Sequence, residues 1–572
     1  MTALRSTRYL CAFLILAATL AGFALPATAA NPPAVSDRFM VSTANPLATM
    51  AARDIILKGG SAVDAAIAAQ LVLTLTEPQS SGLGGGAFLL TYESASGAVA
   101  SYDGRETAPA AATADLFVRP DGTVMDWTEA AEGGIPVGVP GVLRMLELAH
   151  ADQGRLPWAD LFAPAIALAR NGFILSPRLY EVLDWVEGPE RFPAFYKQFY
   201  TLGGERKPVG TRLTNPALAA TLRALAEGGA DAFYSGAIAE EIVATVDGAT
   251  VNPGAMTLED LAGYEAVRRD PICKAYRIWT VCGMGPPSSG GIAVAQILGL
   301  LERFDMAAVK PGSLEAVHLI AEAERLAYAD RDLFVADSDF VAVPIEALLD
   351  PDYLADRSAL IDPAAAMGTA EPGLAAGDQA AFDDAGNLGL STSHISIVDM
   401  EGNAVSMTTS IERGFGSRLM AGGFVLNNEL TDFAFEAQVD GLPIVNRVEP
   451  GKRPRSSMAP TLVLDQDGAV VMAIGTVGGS RIICYVAKTL IARLDWGLDI
   501  QAAIELPNFL NRNGATELED GTNLVDLVPA LEAMGHEVRL GAMDTGLAGF
   551  FIDGGTITGG ADPRREGTAL GR

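Results

Sequence analysis

The feature that most constrains this chain is the run through residues 391–410. Three hydroxyl residues, Ser391, Thr392 and Ser393, lead directly into an alternating segment. Ile395, Ile397 and Asp399 fall on one face, and His394, Ser396 and Val398 on the other. Residues 400–403, Met-Glu-Gly-Asn, read as a turn and residues 404–410 as a second strand, so the spacing predicts a β-hairpin. Many hairpins share that pattern; the upstream chain sets this one apart. Residues 363–390 are rich in Ala, Gly and Asp, with little to pack into a core. A soft segment that ends at a hydroxyl triplet, with a strand beginning at once, is the pattern of an internal cleavage site. A cut before Thr392 would put a hydroxyl and a free α-amine on one residue, the threonine form of a self-activated nucleophile.

The chain is long enough, at 572 residues, for a large core and for more than one domain. Its 49% hydrophobic and 19% charged content marks a globular protein. A formal net charge of -30 argues against nucleic acid or an anionic membrane as partner. Residues 1–29 read as a secretory leader: Arg5 and Arg8, an apolar run over 10–25, then Ala27-Thr28-Ala29. The apolar run is short for a bilayer span, so the mature protein is expected to be exported, periplasmic or extracellular, without a membrane anchor. Three segments follow: leader 1–29, a large piece 30–391, and a small piece 392–572.

Once Cys11 leaves with the leader, Cys273, Cys282 and Cys484 remain. Cys273 and Cys282 flank residues 274–281, which read as strand; the two either pair or sit as core thiols. The four histidines, His150, His318, His394 and His536, are scattered and no CxxC or HExxH occurs, so neither a metal site nor a cofactor is expected.

Along the chain, helices are predicted over 44–58 and 62–73, with Ser61 as N-cap. Glycine-rich residues 82–86 follow a helix and precede a strand over 87–92, the reverse of a dinucleotide-binding loop. Helices are predicted at 142–149 and near 158–170, 176–187 and 215–227. A strand is predicted over 276–282, then helices over 292–301 and 314–330, the last carrying Glu322, Glu324 and Arg325. Strands at 461–465 and 469–474 precede Gly478-Gly479, which opens a helix to about residue 494. N–H groups at a glycine pair before a helix are natural donors to an oxyanion.

The blocks at Thr392-Ser393-His394 with residues 396–399 and 402–405, at residues 77–86, at Asp103-Gly104-Arg105-Glu106-Thr107-Ala108-Pro109, at 424–433 and at 451–461 together resemble the γ-glutamyltransferase family of N-terminal-nucleophile hydrolases. The resemblance runs from about residue 37 to the C-terminus. It implies an α/β (α+β) fold, the four-layer αββα sandwich, self-cleaved into large and small subunits that remain together as a heterodimer. It implies Thr392 as nucleophile and Gly478 and Gly479 as oxyanion donors. Arg105 would hold a donor's α-carboxylate, with Ser456 and Ser457 beside it, and Glu429 and Asp432 its α-ammonium. The implied reaction is hydrolysis or transfer of a γ-glutamyl group from glutathione or a related amide, to water, an amino acid or a peptide. Two positions depart from the glutathione-acting members: Glu412 stands where they have Asn, and Ser410 where they have Thr. Residues 434–451, where some bacterial members carry a lid, are short and lack tyrosine, which implies a more open pocket. A cephalosporin or glutaryl amide acylase on the same scaffold is the nearest alternative. An uncut exported binding protein without catalysis is the alternative of another class.

Overall fold

The computed structural model describes residues 31–382 and 391–572; the predicted leader at 1–29 and residues 383–390 lie outside the described residues. From Pro33 onward the chain is one compact unit. Two seven-stranded sheets form its centre. The first runs, edge to edge, through β1 (Ala34–Ser36), β13 (Thr556–Ala561), β12 (Ala548–Asp553), β11 (Val470–Gly475), β10 (Thr461–Leu464), β7 (Trp279–Gly283) and β6 (Ile272–Tyr276). The second runs through β14 (Thr568–Gly571), β2 (Met40–Thr43), β8 (Ser393–Val398), β9 (Ala404–Ser410), β3 (Gly86–Glu93), β4 (Ala98–Gly104) and β5 (Val267–Arg269). All pairings inside both sheets are antiparallel.

Alternation along the hairpin decides which layer each residue joins. Ile395 and Ile397 of β8, with Val405 and Met407 of β9, face outward under helices α1 (Pro46–Leu57), α2 (Ala62–Thr76) and α3 (Val142–Gln153). On the opposite outer face, Val463, Met472 and Phe551 pack under α4 (Gly290–Leu301), α5 (Leu314–Phe334) and α6 (Ile482–Leu494). Met40, Leu90, Val398, Leu462 and Phe550 fill the space between the sheets. Helix, sheet, sheet, helix is thus the order of layers, the αββα sandwich expected from the resemblance. Beside the apolar filling, hydroxyls bridge the sheets: Ser42 donates to Gly560 O (2.7 Å), Ser396 to Ala548 O (3.1 Å) and Ser406 to Ile474 O (3.2 Å).

Local rules account for most elements. Ser61 caps α2, accepting from Asp64 N while Asp64 accepts from Ser61 N, a reciprocal capping box. The helix runs three residues past its predicted end, to Thr76, and there Thr74 and Thr76 return their hydroxyls to the Gln70 and Val72 carbonyls. The turn of the central hairpin is closed by Asp399, whose carboxylate accepts from Glu401 N and Asn403 N, with Gly402 at φ 84°.

One predicted strand is corrected. Residues 276–282 are not continuous: β6 ends at Tyr276 and β7 begins at Trp279. Arg277 takes φ 55°, in the left-handed region, and its guanidinium is held by Asp495 and the Leu301, Glu302 and Phe304 carbonyls. Tertiary contacts therefore hold a turn that the apolar run conceals. The resulting register sets Cys273 opposite Cys282, and the two form a disulfide. The predicted helix at 158–170 divides into Trp158–Leu161 and Ala163–Asn171, and that at 176–187 into Pro177–Val182 and a short 3-10 turn, Leu183–Trp185. Among the described residues, no helix is long and apolar enough to cross a membrane.

Candidate active site

Thr392 stands immediately before β8, a strand flanked on both sides within its sheet. Its N–H donates to Ser80 O at 3.1 Å, its carbonyl accepts from Arg565 Nη1 at 3.3 Å, and its hydroxyl lies 3.1 Å from Ser410 Oγ. Ser391 is anchored by its hydroxyl on the Gln79 carbonyl. Between these anchors Thr392 adopts φ 91°. A β-branched residue in that region is a true outlier, of the kind that stores about 1–3 kcal/mol of local strain. Residues 77–86 thus act as the bed on which this backbone lies: Ser80 O also accepts from Ile411 N, and Gly85 comes so close to Ser410 that a side chain would collide.

A small cleft opens on Thr392. Of the ten residues singled out from sequence, eight line it: Thr392, Ser410, Glu412, Glu429, Asp432, Ser456, Ser457 and Gly479. Ser410 accepts from Glu412 N at 2.8 Å, and Glu412 holds φ 75°, which turns its buried side chain to the cleft. Glu429 and Asp432 belong to one 3-10 turn, Glu429–Asp432, so a single short element presents both carboxylates. Ser457 Oγ accepts from Arg331 Nη2 at 2.7 Å, and Ser456 Oγ from Met458 N at 3.1 Å.

Arg105 and Gly478 do not line the cleft. Arg105 is fully buried one layer behind it. Its Nη1 meets Glu429, Nη2 donates to Asp432 at 2.5 Å and to Arg455 O at 3.2 Å, and Nε donates to Pro454 O at 3.1 Å. The guanidinium therefore ties together the two carboxylates that the resemblance assigns to the opposite charge of the donor. Burial works against its charge, but Glu429, Asp432 and Glu106 more than offset this.

Gly478, at φ 133°, lies over the Tyr485 ring, and Gly479, at φ 59°, starts the 3-10 turn Gly479–Arg481 that runs into α6. Only glycine takes both conformations without cost. Tyr328 of α5 supports the turn from behind, donating its hydroxyl to Ser480 O, while Arg512 Nη1 donates to Ser480 Oγ at 2.7 Å. His394 is buried beneath the neighbouring strand; a side chain at Gly475 would overlap its ring. Burial lowers His394 to about 3, so it is neutral, bonded to Thr408 and Ser396 at 2.9 Å each.

Sequence reasoning missed Arg455, Met458, Ser480 and Ile482 in the lining, and Glu106 behind Arg105. Adjacency to Arg105 was the available signal for Glu106. It also missed that two of the scattered histidines meet. His318, Glu322 and His536 bring donor atoms within 4.8 Å of one another, away from the cleft. Each is already engaged: His318 Nε2 with Asp362 O (2.7 Å), His318 Nδ1 with His536 Nε2 (2.8 Å), and His536 Nδ1 with Thr516 Oγ1 (2.8 Å). Glu322 accepts from Arg325 Nε and Met367 N. The carbonyl only accepts, so the three contacts read as one directed hydrogen-bond chain.

A strained threonine at the head of a central strand, a glycine turn at a helix start and an αββα sandwich define a class, and comparison with known proteins names it. The model of the gamma-glutamyltranspeptidase family matches residues 48–572, and the chain belongs to that family. It is 37% identical to the glutathione hydrolase proenzyme of Escherichia coli (strain K12), over 96% of this chain and 97% of that protein. It is 35% identical to the glutathione hydrolase proenzyme of Bacillus subtilis (strain 168), over 99% of each. Among solved structures, a cephalosporin acylase from Bacillus halodurans superposes with a TM-score of 0.83 at 26% identity, covering 97% of this chain and 99% of that one.

Proposed function

We propose that this protein is an exported, self-processed γ-glutamyl hydrolase and transferase acting on glutathione-like amides. The observation that carries the reading is the strained Thr392, with its hydroxyl on Ser410, at the floor of a cleft lined by Glu429, Asp432, Ser456 and Ser457. The precursor is cut between Ser391 and Thr392. The Thr392 hydroxyl attacks the Ser391 carbonyl, and water hydrolyses the resulting ester. Opening that peptide removes the constrained φ, so local strain favours the cut. The two pieces stay together as a heterodimer. In turnover, Thr392 Oγ attacks the γ-carbonyl carbon and passes its proton to its own α-amine. N–H groups of Gly478 and Gly479 stabilise the oxyanion. The leaving amine departs with the proton, and water or an acceptor amine resolves the threonine ester. Glu429, Asp432 and Glu412 meet the donor's ammonium; the serine pair, with Arg105 behind, meets its carboxylate.

Similarity to glutathione hydrolase proenzymes supports this reading. A second reading, a glutaryl-type amide acylase, is favoured by the likeness to the cephalosporin acylase. Turnover of γ-glutamyl- against glutaryl-p-nitroanilide separates the two. A denaturing gel of the mature protein separates both from an uncut binding protein: two fragments are expected, and a single chain would sink the enzymatic reading.

A further inference from the structure

Glu106 lies behind Arg105, fully buried and away from the cleft lining. It is wedged against glycine backbone: a Cβ on Gly86 would come within 2.7 Å of its Cδ, and one on Gly138 within 2.7 Å of its Cβ. Among the described residues, no N–H or hydroxyl donates to either of its carboxyl oxygens. Its Oε2 is 3.8 Å from Arg105 Nη1, beyond hydrogen-bond reach. That nitrogen is engaged by Glu429 Oε1, while Glu429 Oε2 also lacks a donor. Glu106 Oε2 and Glu429 Oε1 both face Arg105 Nη1, so two carboxyls crowd one nitrogen in dry protein with three oxygens short of a donor. An ionised carboxylate only accepts. Two of them, sharing a guanidinium that already serves Asp432, cannot both carry charge at low cost. A single proton resolves the conflict, because a neutral carboxylic acid is a donor.

We propose that Glu106 is a neutral carboxylic acid whose O–H donates to Glu429, holding Glu429 as a fixed, ionised carboxylate toward the donor's ammonium. The proton sits on Glu106 because Arg105 hydrogen-bonds Glu429 and stands off at 3.8 Å from Glu106. Glu106 is a positioning residue, acting through Glu429. The inference rests on the acyl-donor reading of the cleft. Burial, then the neighbouring Glu429, raise Glu106 well above the usual carboxylate range; Asp432 adds to this and Arg105 opposes it. The remaining titratable groups facing it, Tyr234 and Tyr264, are themselves kept neutral by burial.

The test compares Glu106→Gln and Glu106→Ala in the processed enzyme, with γ-glutamyl-p-nitroanilide as donor. Gln keeps the shape and a neutral N–H donor, so its KM should stay within about threefold of wild type, with Tm unchanged. Ala removes the donor, and KM should rise about tenfold, with kcat less affected. Equal losses in Gln and Ala would overturn the proposal, since they would mean that Glu106 acts as a charge. A second readout does not depend on activity or on the Ala variant folding. The infrared difference spectrum, wild type minus Glu106→Gln, should show the carbonyl band of a protonated carboxyl group at neutral pH. A carboxylate band there instead would overturn the proposal. If wild type turns over no γ-glutamyl anilide, the donor reading fails, while the infrared result still decides the state of Glu106.

Discussion

At the scale of single residues, chemistry is concentrated on Thr392 and on the carboxylates opposite it. Thr392→Ala should leave one uncut chain, whereas Thr392→Ser should still cut, though slowly, because it keeps a hydroxyl at the same backbone position. Terminal sequencing of the small fragment checks the site: a start at Ser391 or Ser393 would refute the assignment. Asp432→Asn should shift preference toward acyl groups that lack an α-amine, because the carboxylate stabilises an ammonium and repels an acid. The ratio of kcat/KM for glutaryl over γ-glutamyl anilide measures this; a ratio that stays put counts against Asp432. Most of these residues were singled out because the blocks around them resemble a known family; by residue type alone Arg105, Glu429 and Asp432 read as surface or solvated groups. What was not legible is their relation. Arg105 and Glu429 are 324 positions apart, and nothing in spacing says that they bond to each other rather than each to a ligand.

At the scale of elements, the hairpin of β8 and β9 was read to within one residue from its alternation; Asp399, read as strand, instead closes the turn. The β6–β7 hairpin was not, because its turn, Arg277-Ile278, carries no Gly, Asn or Pro and is held by contacts from distant elements. The close approach of β11 to β8 yields a sharp expectation. Gly475→Ala should drive the His394 ring off its two hydroxyl partners and disturb the strand that starts at Thr392. Overpacking of this kind costs typically about 1–3 kcal/mol. Self-cleavage should slow in the variant; an unchanged cleavage rate on a gel time course would argue that β8 is not held from below. The seam between α5 and α6 carries a pH dependence. Burial raises Glu324 to about 8, against the hydrogen bond it accepts from Asn511 N. A carboxyl raised on folding favours the native state fully below its unfolded value. That contribution is lost as pH climbs from there through about 8. Wild type should therefore lose stability relative to Glu324→Gln across that window, by up to about 1.4 kcal/mol per pH unit. Parallel Tm profiles from pH 5 to about 8 would show that Glu324 does not titrate there.

At the scale of the whole molecule, the two sheets have an order that matters only once the chain is cut. In the second sheet β2, from the residues before 392, lies between β14 and β8, both from the residues after it. In the first, β1 and β6–β7 flank four strands of the later piece. The fragments interleave like two hands with fingers crossed, with no plane along which they part without tearing ladders open. Folding is written for one continuous thread, and cutting makes the return journey a meeting of two. The uncut Thr392→Ala chain should regain its circular dichroism after denaturant at a yield independent of dilution. The cut enzyme should recover less as it is diluted, its ground state then held by the height of the unfolding barrier. Equal recovery of both forms at every concentration would contradict this. Maturation would then act as a ratchet, exchanging the freedom to refold for an active residue that cannot be put back.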